Sequence, residues 1–287
     1  MNLGVLVSGD LGFVALNYLF KNYNVIYVLT DSKSHTIIDF CTTNKIQFFS
    51  GNPRNGKALD FCVKKEKIDI LVSVNYLFII EKDLIELPEA YSFNIHGSLL
   101  PKYRGRTPHV WAIINNESKT GITAHLIDED CDTGDIIEQI EVEIEIEDTG
   151  ADILRKFNMN YIKLLDLVLN KSKLGTLTFT KQNNQLSTYF GKRTHLDGQI
   201  NWNWQKERIN NWIRAQAYPY PGAFTYFNKN KIIIDKIKYS DVSYSNDITN
   251  GFLISTNPIL IKTPNGVVEL FKVREYDFEL VRGKVLK

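Results

Sequence analysis

Cysteine is scarce in this sequence. The 287 residues include only Cys41, Cys62 and Cys131, an odd number at wide spacing. No Cys-x-x-Cys pair occurs, and no histidine stands at metal-ligand spacing from a cysteine. A disulfide framework and a zinc site are both disfavoured, so we expect no metal. Reduced thiols in a cytoplasmic protein are the simplest interpretation.

Net charge is also nearly absent. The chain has 34 lysines and arginines against 33 aspartates and glutamates, which supplies no general attraction to nucleic acid or to a membrane surface. No apolar run approaches the roughly 20 residues of a spanning helix. The N-terminal residues show no basic segment followed by a long apolar run, so no signal peptide is predicted. We expect neither nucleic acid nor a membrane as partner.

Hydrophobic patterning in the first 75 residues alternates between two periods. Short β-branched runs of strand type are followed by segments with helical spacing of apolar residues. The predicted strands are Leu3–Ser8, Val25–Leu29, Ile46–Phe49 and Ile68–Val74, and the predicted helices start near Phe13, cover Ile37–Cys41 and cover Ala58–Lys65. This alternation predicts an α/β fold, a Rossmann-like and mostly parallel sheet with helices on both faces. Ligands of such sheets bind beyond the carboxyl ends of the strands.

The pattern changes along the rest of the chain. A strand is predicted at residues 121–127, and residues 136–146 alternate strictly, with Ile140, Val142, Ile144 and Ile146 on one face and three glutamates on the other. A helix is expected from Gly150 to about Leu169, capped by Asp148 or Thr149. We therefore divide the chain into a larger domain, 1–200, and a small β-rich region, 201–287, which could supply a dimer interface.

The turn SGDLG at residues 8–12 follows the first strand. It resembles a degenerate phosphate-binding loop, but it is not G-x-G-x-x-G and no clean acidic partner follows the second strand. The glycines can equally serve only to let the strand turn into the helix. A dinucleotide-dependent oxidoreductase therefore remains an alternative function, because the fold class alone does not exclude it.

The segment YSFNIH at residues 91–96 contains a chemically suggestive pair. If it is a strand, Asn94 and His96 point to the same face, at the end where ligands bind. The histidine can exchange a proton near neutral pH, and the asparagine amide can donate to an oxyanion. The pair lacks only an orienting carboxylate.

The acidic segment DEDCDTGD at residues 128–135 follows the predicted strand at 121–127. Most of its acids belong in solvent or at the caps of turns, but one could reach His96 and orient its ring. Cys131 lies among these acids, and the negative charge around it makes it a poor nucleophile, so a cysteine hydrolase is disfavoured.

These motifs together resemble a known family. NIHGSLLPKYRGRTPHVWAI, followed by a strand and DCDTGDII, is similar to the catalytic domain of formyltransferases that use 10-formyltetrahydrofolate. The resemblance implies that Asn94, His96 and Asp132 are the catalytic residues. It covers roughly residues 1–200, and AYPYPGAFT at 217–225 is similar to the start of the family's C-terminal region.

Two segments resemble the sugar N-formyltransferase branch in particular, PKYRGRTPHVWAIIN and YFGKRTHLDGQINW. That likeness implies a dTDP-linked amino-dideoxysugar as substrate, with dTDP-4-amino-4,6-dideoxyglucose favoured and the 3-amino isomer as the other choice. The product would enter O-antigen or another surface polysaccharide, and a homodimer is expected. The implied folate-binding residues are Tyr76, Leu77, Phe78 and Asp128. The implied substrate-binding residues are Ser8, Asp10, Lys102, Arg104, Arg106, Tyr189, Lys192 and Arg193.

Two other activities of the same family remain open. A methionyl-tRNA formyltransferase would share the catalytic residues, but the near-zero net charge and the acids in the short C-terminal region disfavour it. A formyltetrahydrofolate hydrolase would share them as well, and it would need no cations for a nucleotide diphosphate. Trp111 could either stack on a nucleobase or pack in the core.

Overall fold

The computed structural model describes the whole chain, Met1–Lys287. The elements up to the long helix are, in chain order, β1 (Asn2–Val7), α1 (Gly9–Asn22), β2 (Asn24–Thr30), α2 (His35–Thr43), β3 (Gln47–Ser50), α3 (Lys57–Cys62), β4 (Ile70–Val74), α4 (Lys82–Ile85), β5 (Tyr91–His96), β6 (Arg104–Gly105), α5 (Pro108–Ile114), β7 (Lys119–Leu126), β8 (Ile136–Glu143) and α6 (Gly150–Lys173). The remaining elements are β9 (Tyr189–Phe190), α7 (Lys206–Ala215), β10 (Ala223–Phe227), β11 (Asn230–Ser240), β12 (Leu253–Thr256), β13 (Ile259–Thr263) and β14 (Gly266–Val273), with 3-10 turns at Asn184–Leu186 and His195–Gly198.

The first compact unit comprises residues 1–105, 121–142 and 156–189. Its sheet has seven strands in the order β3-β2-β1-β4-β5-β7-β8. The pairs formed among β1 to β5 are parallel, whereas β5 pairs with β7 antiparallel. The predicted α/β class with a mostly parallel sheet is confirmed.

Burial explains why these segments form the sheet and its helices. All five residues of β4, ILVSV, are buried, which is typical of a central parallel strand covered on both faces. Helix α1 buries Gly12, Ala15, Leu16 and Leu19, the i, i+3, i+4, i+7 spacing of one helix face. The core on one side of the sheet includes Leu6, Tyr27, Leu29, Leu71 and Leu84.

The second compact unit comprises residues 106–120, 143–155 and 190–287. Its sheet is antiparallel, with the order β10-β11-β14-β13-β12. Helix α7 buries Ile209 and Ile213 in a core that also contains Ile234, Ile261 and Val268. The β-rich region was predicted, but α7 was not, because the aromatic and turn residues around it obscured its helical period.

One element boundary differs from the prediction, and the cap of the next helix is one of the two predicted residues. Strand β8 ends at Glu143, and Ile146 is 81% exposed, so its assignment to the buried face of the strand is wrong. The chain turns there, because Glu145 N–H donates to Asp148 Oδ2 at 2.7 Å and Asp148 N–H donates to the Glu145 carbonyl. Thr149 caps α6, since its hydroxyl oxygen accepts the N–H of Asp152. No helix of the protein combines the length and the apolar character that crossing a membrane requires.

Candidate active site

The register between β5 and β7 brings the first polar side chains together. Asn94 lies directly opposite His125, and His96 lies opposite Thr123. Because side chains alternate along each strand, all four residues belong to one face of the sheet. His96 and His125 are buried, and their ring centroids are 6.5 Å apart. The predicted pair Asn94 and His96 therefore does share a face, and a second imidazole joins it from the neighbouring strand.

Asp132 supplies the carboxylate from the loop between β7 and β8. Its Oδ1 lies 3.4 Å from His96 Nδ1 and 3.6 Å from His125 Nε2. Its Oδ2 accepts the backbone N–H of Gly105 at 2.9 Å. The backbone of Asp132 has φ of 60°, a left-handed conformation that few non-glycine residues adopt, and aspartate is one of those that tolerate it. The acid that the sequence indicated is therefore brought between two histidines.

His96 has both ring nitrogens engaged. Nε2 lies 2.8 Å from the carbonyl oxygen of Tyr103, and because a carbonyl can only accept, Nε2 carries a proton. Nδ1 is then the nitrogen that gains or loses a proton, and it faces Asp132. Burial lowers the pKa of His96, and the Asp132 carboxylate opposes that shift only in part. Asp132 thus favours the protonated ring, but burial has the larger effect on the pKa.

Asp132 itself is ionised. Burial alone would raise its pKa, but the neighbouring His96, His125 and the Gly105 N–H together hold the pKa well below the usual range of a carboxyl group. A carboxylate beside a histidine whose free nitrogen faces it is suited to stabilise the imidazolium that forms when the ring takes a proton.

His125 is the site residue that sequence reasoning missed. Its Nδ1 donates to the carbonyl of Leu126 at 2.7 Å, and its Nε2 lies 3.3 Å from Nδ2 of Asn94. The only signal in the sequence was the alternation in GITAHLI, which places Thr123 and His125 on one face of a strand. That signal could not identify the neighbouring strand or the register.

Arg104 is buried in a network behind the Asp132 loop. Its guanidinium donates to Gln182 Oε1 and to Asn184 Oδ1. The amide nitrogen of Gln182 in turn donates to the backbone carbonyls of Asp132 and Gly134, at 2.9 and 2.8 Å. The structure therefore places this predicted substrate-binding cation against two side-chain amides, and the amide of Gln182 also holds the loop that contains Asp132.

The other predicted cations lie on two backbone segments that pair with each other. Strand β6 pairs with β9, where Arg104 N–H donates to the Thr188 carbonyl and Arg106 N–H donates to the Phe190 carbonyl, both at 2.9 Å. The side chains of Lys102, Arg106, Tyr189 and Lys192 on or beside these segments are exposed.

Arg193 and Trp111 lie within the second unit and contact each other. The guanidinium carbon of Arg193 is 5.0 Å from the ring centroid of Trp111 and 4.3 Å from that of Trp212. Its Nη2 also donates to the Asp197 carbonyl at 2.9 Å. Trp111 stacks on Phe190 with ring centroids 4.7 Å apart. Of the two roles considered for Trp111, packing is the one for which the structure supplies contacts.

The predicted folate-binding residues follow β4 and β7. Tyr76 and Phe78 pack edge to face, with centroids 5.5 Å apart, and Leu77 is 47% exposed. The Tyr76 hydroxyl is buried without a hydrogen-bond partner. Asp128 accepts the hydroxyl of Thr133 on both carboxylate oxygens at 2.8 Å, which ties the two ends of the acidic loop together.

The predicted residues of the first turn lie at the carboxyl end of β1. Ser8 is buried, and its backbone carbonyl accepts the side-chain amide of Asn75 at 2.9 Å. Asp10 is exposed in the first turn of α1. Asn75 follows β4, the strand beside β1, so this turn is anchored at the edge of the sheet where ligands of such folds bind.

Comparison with known proteins decides the family. A model described as formyl transferase matches residues 18–169, which is more than half of the chain, and a model described as formyl transferase, C-terminal domain, matches residues 192–283. This chain is a formyl transferase family member. The resemblance inferred from the N-x-H and D-T-G motifs is confirmed.

Three relatives of this formyl transferase are informative. The bifunctional polymyxin resistance protein ArnA of Wigglesworthia glossinidia brevipalpis is 35% identical over 96% of the chain, which spans 43% of that relative's length. The N-formyltransferase from Helicobacter canadensis, solved with folinic acid and dTDP-3-aminofucose, is 24% identical with a TM-score of 0.72, over 93% of this chain and 98% of its own. A 4-N formyltransferase from Francisella tularensis is 23% identical with a TM-score of 0.68, over 81% and 96% of the two chains.

The cluster contains groups of the types that acyl transfer can use. Asn94 offers an amide donor, His96 offers a nitrogen that can exchange a proton, and Asp132 offers a charge beside that nitrogen. A tetrahedral oxyanion and a proton in transit are the two species that such groups stabilise.

Proposed function

We propose that this formyl transferase moves the formyl group of 10-formyltetrahydrofolate to the amino group of a dTDP-linked amino-dideoxysugar. The observation that carries the proposal is the arrangement of Asn94, His96 and Asp132, in which an amide donor, an imidazole and a buried carboxylate lie on one side of the sheet. We favour dTDP-4-amino-4,6-dideoxyglucose, with the 3-amino isomer as the second choice.

The proposed reaction begins with attack of the neutral sugar amine on the formyl carbon. A carbon–nitrogen bond forms, and the carbonyl electron pair moves to oxygen, where Asn94 Nδ2 donates to the oxyanion; a donor of this type is often worth about 3 kcal/mol. The ammonium proton moves to His96 Nδ1, and the imidazolium that results is stabilised by Asp132. A lowered pKa of His96 supports this assignment, because the ring is then neutral and able to accept the proton.

Collapse of the intermediate completes the transfer. The carbonyl re-forms, the bond from the formyl carbon to the folate nitrogen breaks, and that nitrogen keeps the electron pair. It takes the proton from His96, which leaves tetrahydrofolate and restores the neutral ring. Because the Nε2 proton of His96 is engaged with the Tyr103 carbonyl throughout, Nδ1 is assigned to both proton transfers.

We assign the nucleotide diphosphate to exposed cations that flank β6 and β9 in the sequence. Lys102, Arg106 and Lys192 are proposed to bind the phosphates, and Tyr189 to contact the nucleoside. Arg104 and Arg193 are assigned a supporting part, because their guanidinium groups already donate to amide and carbonyl oxygens. Ser8 and Asp10 are proposed to contact the sugar.

The folate is assigned to the segment after β4. Tyr76 and Phe78 are proposed to line the pterin pocket together with Leu77, which is exposed enough to contact a ligand. Asp128 is proposed to act there from the acidic loop. The solved relative from Helicobacter canadensis, crystallised with folinic acid and a dTDP-amino sugar, supports both ligand classes.

The wider setting forms part of the same proposal. A formylated nucleotide sugar is an activated donor, so we propose that the product enters O-antigen or another surface polysaccharide. We also propose that the protein acts in the cytoplasm as a homodimer.

The test is an assay with 10-formyltetrahydrofolate and a panel of dTDP-linked and UDP-linked 3-amino and 4-amino deoxysugars. Mass spectrometry should detect addition of one CO to at least one dTDP-linked sugar. Formylation of methionyl-tRNA without any sugar product would replace this proposal with the tRNA activity. Release of formate without any acceptor would replace it with the hydrolase activity.

A further inference from the structure

We infer that His125 is a positioning residue that holds the amide of Asn94 in the orientation that formyl transfer needs. The inference rests on the proposed role of Asn94 as the donor to the oxyanion. It adds a residue that neither the N-x-H motif nor the D-T-G motif contains.

The first step concerns the proton of His125. Its Nδ1 lies 2.7 Å from the carbonyl oxygen of Leu126, and a carbonyl can only accept, so Nδ1 carries the hydrogen. The neutral ring then has its lone pair on Nε2. The side chain is buried, so water does not compete for that lone pair.

The second step concerns the amide that this lone pair faces. Nδ2 of Asn94 lies 3.3 Å from Nε2 of His125, so one amide hydrogen points at the ring nitrogen. A flipped amide would place Oδ1 against the lone pair, which is repulsive. Neutral His125 therefore selects one of the two amide orientations and leaves the second N–H of Asn94 for the substrate.

The third step concerns the charged groups around His125. Asp132 Oδ1 is 3.6 Å from Nε2, too long for a hydrogen bond but close enough to favour a proton there, and the His96 ring faces His125 at a centroid distance of 6.5 Å. A protonated His125 would donate to Asp132 and would favour Oδ1 of Asn94 instead. The two protonation states therefore predict opposite amide orientations, which an experiment can separate.

The main test is a double-mutant cycle between His125 and Asn94. In His125→Phe, which keeps an aromatic ring but removes the nitrogen acceptor, we expect kcat to fall about 10- to 100-fold with KM changed less than about twofold. His125→Gln, whose side-chain oxygen can accept from Asn94, should recover most of the loss. In an Asn94→Ala background, His125→Phe should have no further effect on kcat, because its partner is gone.

Two measurements guard against a purely structural explanation. The thermal midpoint of each variant should stay near the wild-type value, and His35→Phe, on an exposed histidine, should keep full activity. In protein labelled with ¹⁵N-histidine, Nδ1 of His125 should carry a hydrogen and Nε2 should have the chemical shift of an acceptor nitrogen. A doubly protonated ring would overturn the inference.

The outcomes distinguish this inference from the proposed function. If Asn94→Ala keeps full turnover, the proposed role of Asn94 fails, and this inference fails with it. If Asn94→Ala is impaired but His125→Phe lowers kcat equally in both backgrounds, only the inference about His125 is overturned. The inference would also be overturned if His125→Gln lowered kcat as much as His125→Phe does.

Discussion

Oε1 of Gln182 accepts two hydrogen bonds from the guanidinium of Arg104, at 3.1 Å from Nε and 2.7 Å from Nη2. The same Gln182 side chain donates from its nitrogen to the carbonyls of Asp132 and Gly134. One amide thus connects a buried cation to the loop that contains Asp132, the proposed catalytic carboxylate.

Replacement of Gln182 should therefore impair turnover, although its hydrogen bonds go to Arg104 and to two loop carbonyls and not to the three proposed catalytic side chains. We expect Gln182→Ala to lower kcat about 10- to 100-fold, because a displacement of the Asp132 loop by about 1 Å can cost that much. Gln182→Glu should be impaired as well: its carboxylate can still accept from Arg104, but it cannot donate to the two carbonyls. Steady-state kinetics provide the measurement.

The control for this prediction is Gln185→Ala, which makes the same change at an exposed glutamine three residues away. It should keep wild-type kcat. Full activity of Gln182→Glu would show that the bonds to the carbonyls are dispensable.

The pH dependence of kcat/KM should show the depressed pKa of His96. Because burial lowers the pKa of this ring, the neutral form that accepts a proton should persist below pH 6.5, and the acid limb of the profile should lie under that ordinary value of about 6.5. Asp132→Asn removes the negative charge that opposes this shift. The acid limb should then move to still lower pH, while the maximal rate falls.

The measurement is the pH profile of both enzymes under identical ionic strength. A limb that stays in place, or moves to higher pH, in Asp132→Asn would contradict the assignment of His96 as the titrating group beside Asp132.

Gly134 should tolerate no side chain. A Cβ at this position would lie 1.9 Å from the carbonyl oxygen of Leu126, in the backbone of β7. We expect Gly134→Ala to lower the free energy of unfolding by at least about 2 kcal/mol through overpacking, and to lower activity with it. Urea denaturation measures the first effect.

Gly191 is the matched control for this substitution. A Cβ there meets nothing within 4 Å, and its backbone is not in the left-handed region, so Gly191→Ala should unfold at the wild-type urea concentration. Equal stability of the two alanine variants would contradict the steric argument.

The C-terminal sheet contains a buried ion pair that should matter for its stability. Asp235 is 7% exposed, and both of its carboxylate oxygens accept from Arg274, at 3.0 and 2.9 Å. Asp235→Ala would leave the guanidinium without its charge partner, and removal of one member of such a pair typically costs about 3 to 5 kcal/mol. Asp241→Ala, at an exposed position, should cost far less.

The same pair predicts the sign of the acid response. Burial alone would raise the pKa of Asp235, but Arg274 and the Tyr218 N–H together lower it below its ordinary value. The carboxyl of Asp235 has a pKa of about 3.9 in the unfolded chain. The stabilisation that the ion pair gives is therefore complete above this pH and is lost as the pH falls below it. In Asp235→Asn, the free energy of unfolding should depend less on pH in this range than it does in the wild type. An unchanged pH dependence would contradict the prediction.

Sequence alone was enough to predict the parallel strands of the first unit's sheet and to propose three catalytic residues. The strands β1, β2 and β4 consist mostly of contiguous β-branched or apolar residues between turns, so each can be recognised without any partner. Asn94 and His96 were placed on one face because alternation along a strand is local. Asp132 could be proposed because the D-T-G motif resembles that of a known family. Its structural surroundings were not needed.

Only the tertiary structure decided that His125 opposes Asn94, that Arg104 is buried against Gln182, and that β5 and β7 run antiparallel. Each of these depends on register or on contacts between residues far apart in the chain. A shift of one residue in the pairing of β5 with β7 would turn His125 to the other face without changing any local pattern. The lowered pKa of His96 also depends on the tertiary structure, because burial causes it and the ring is buried only in the folded chain.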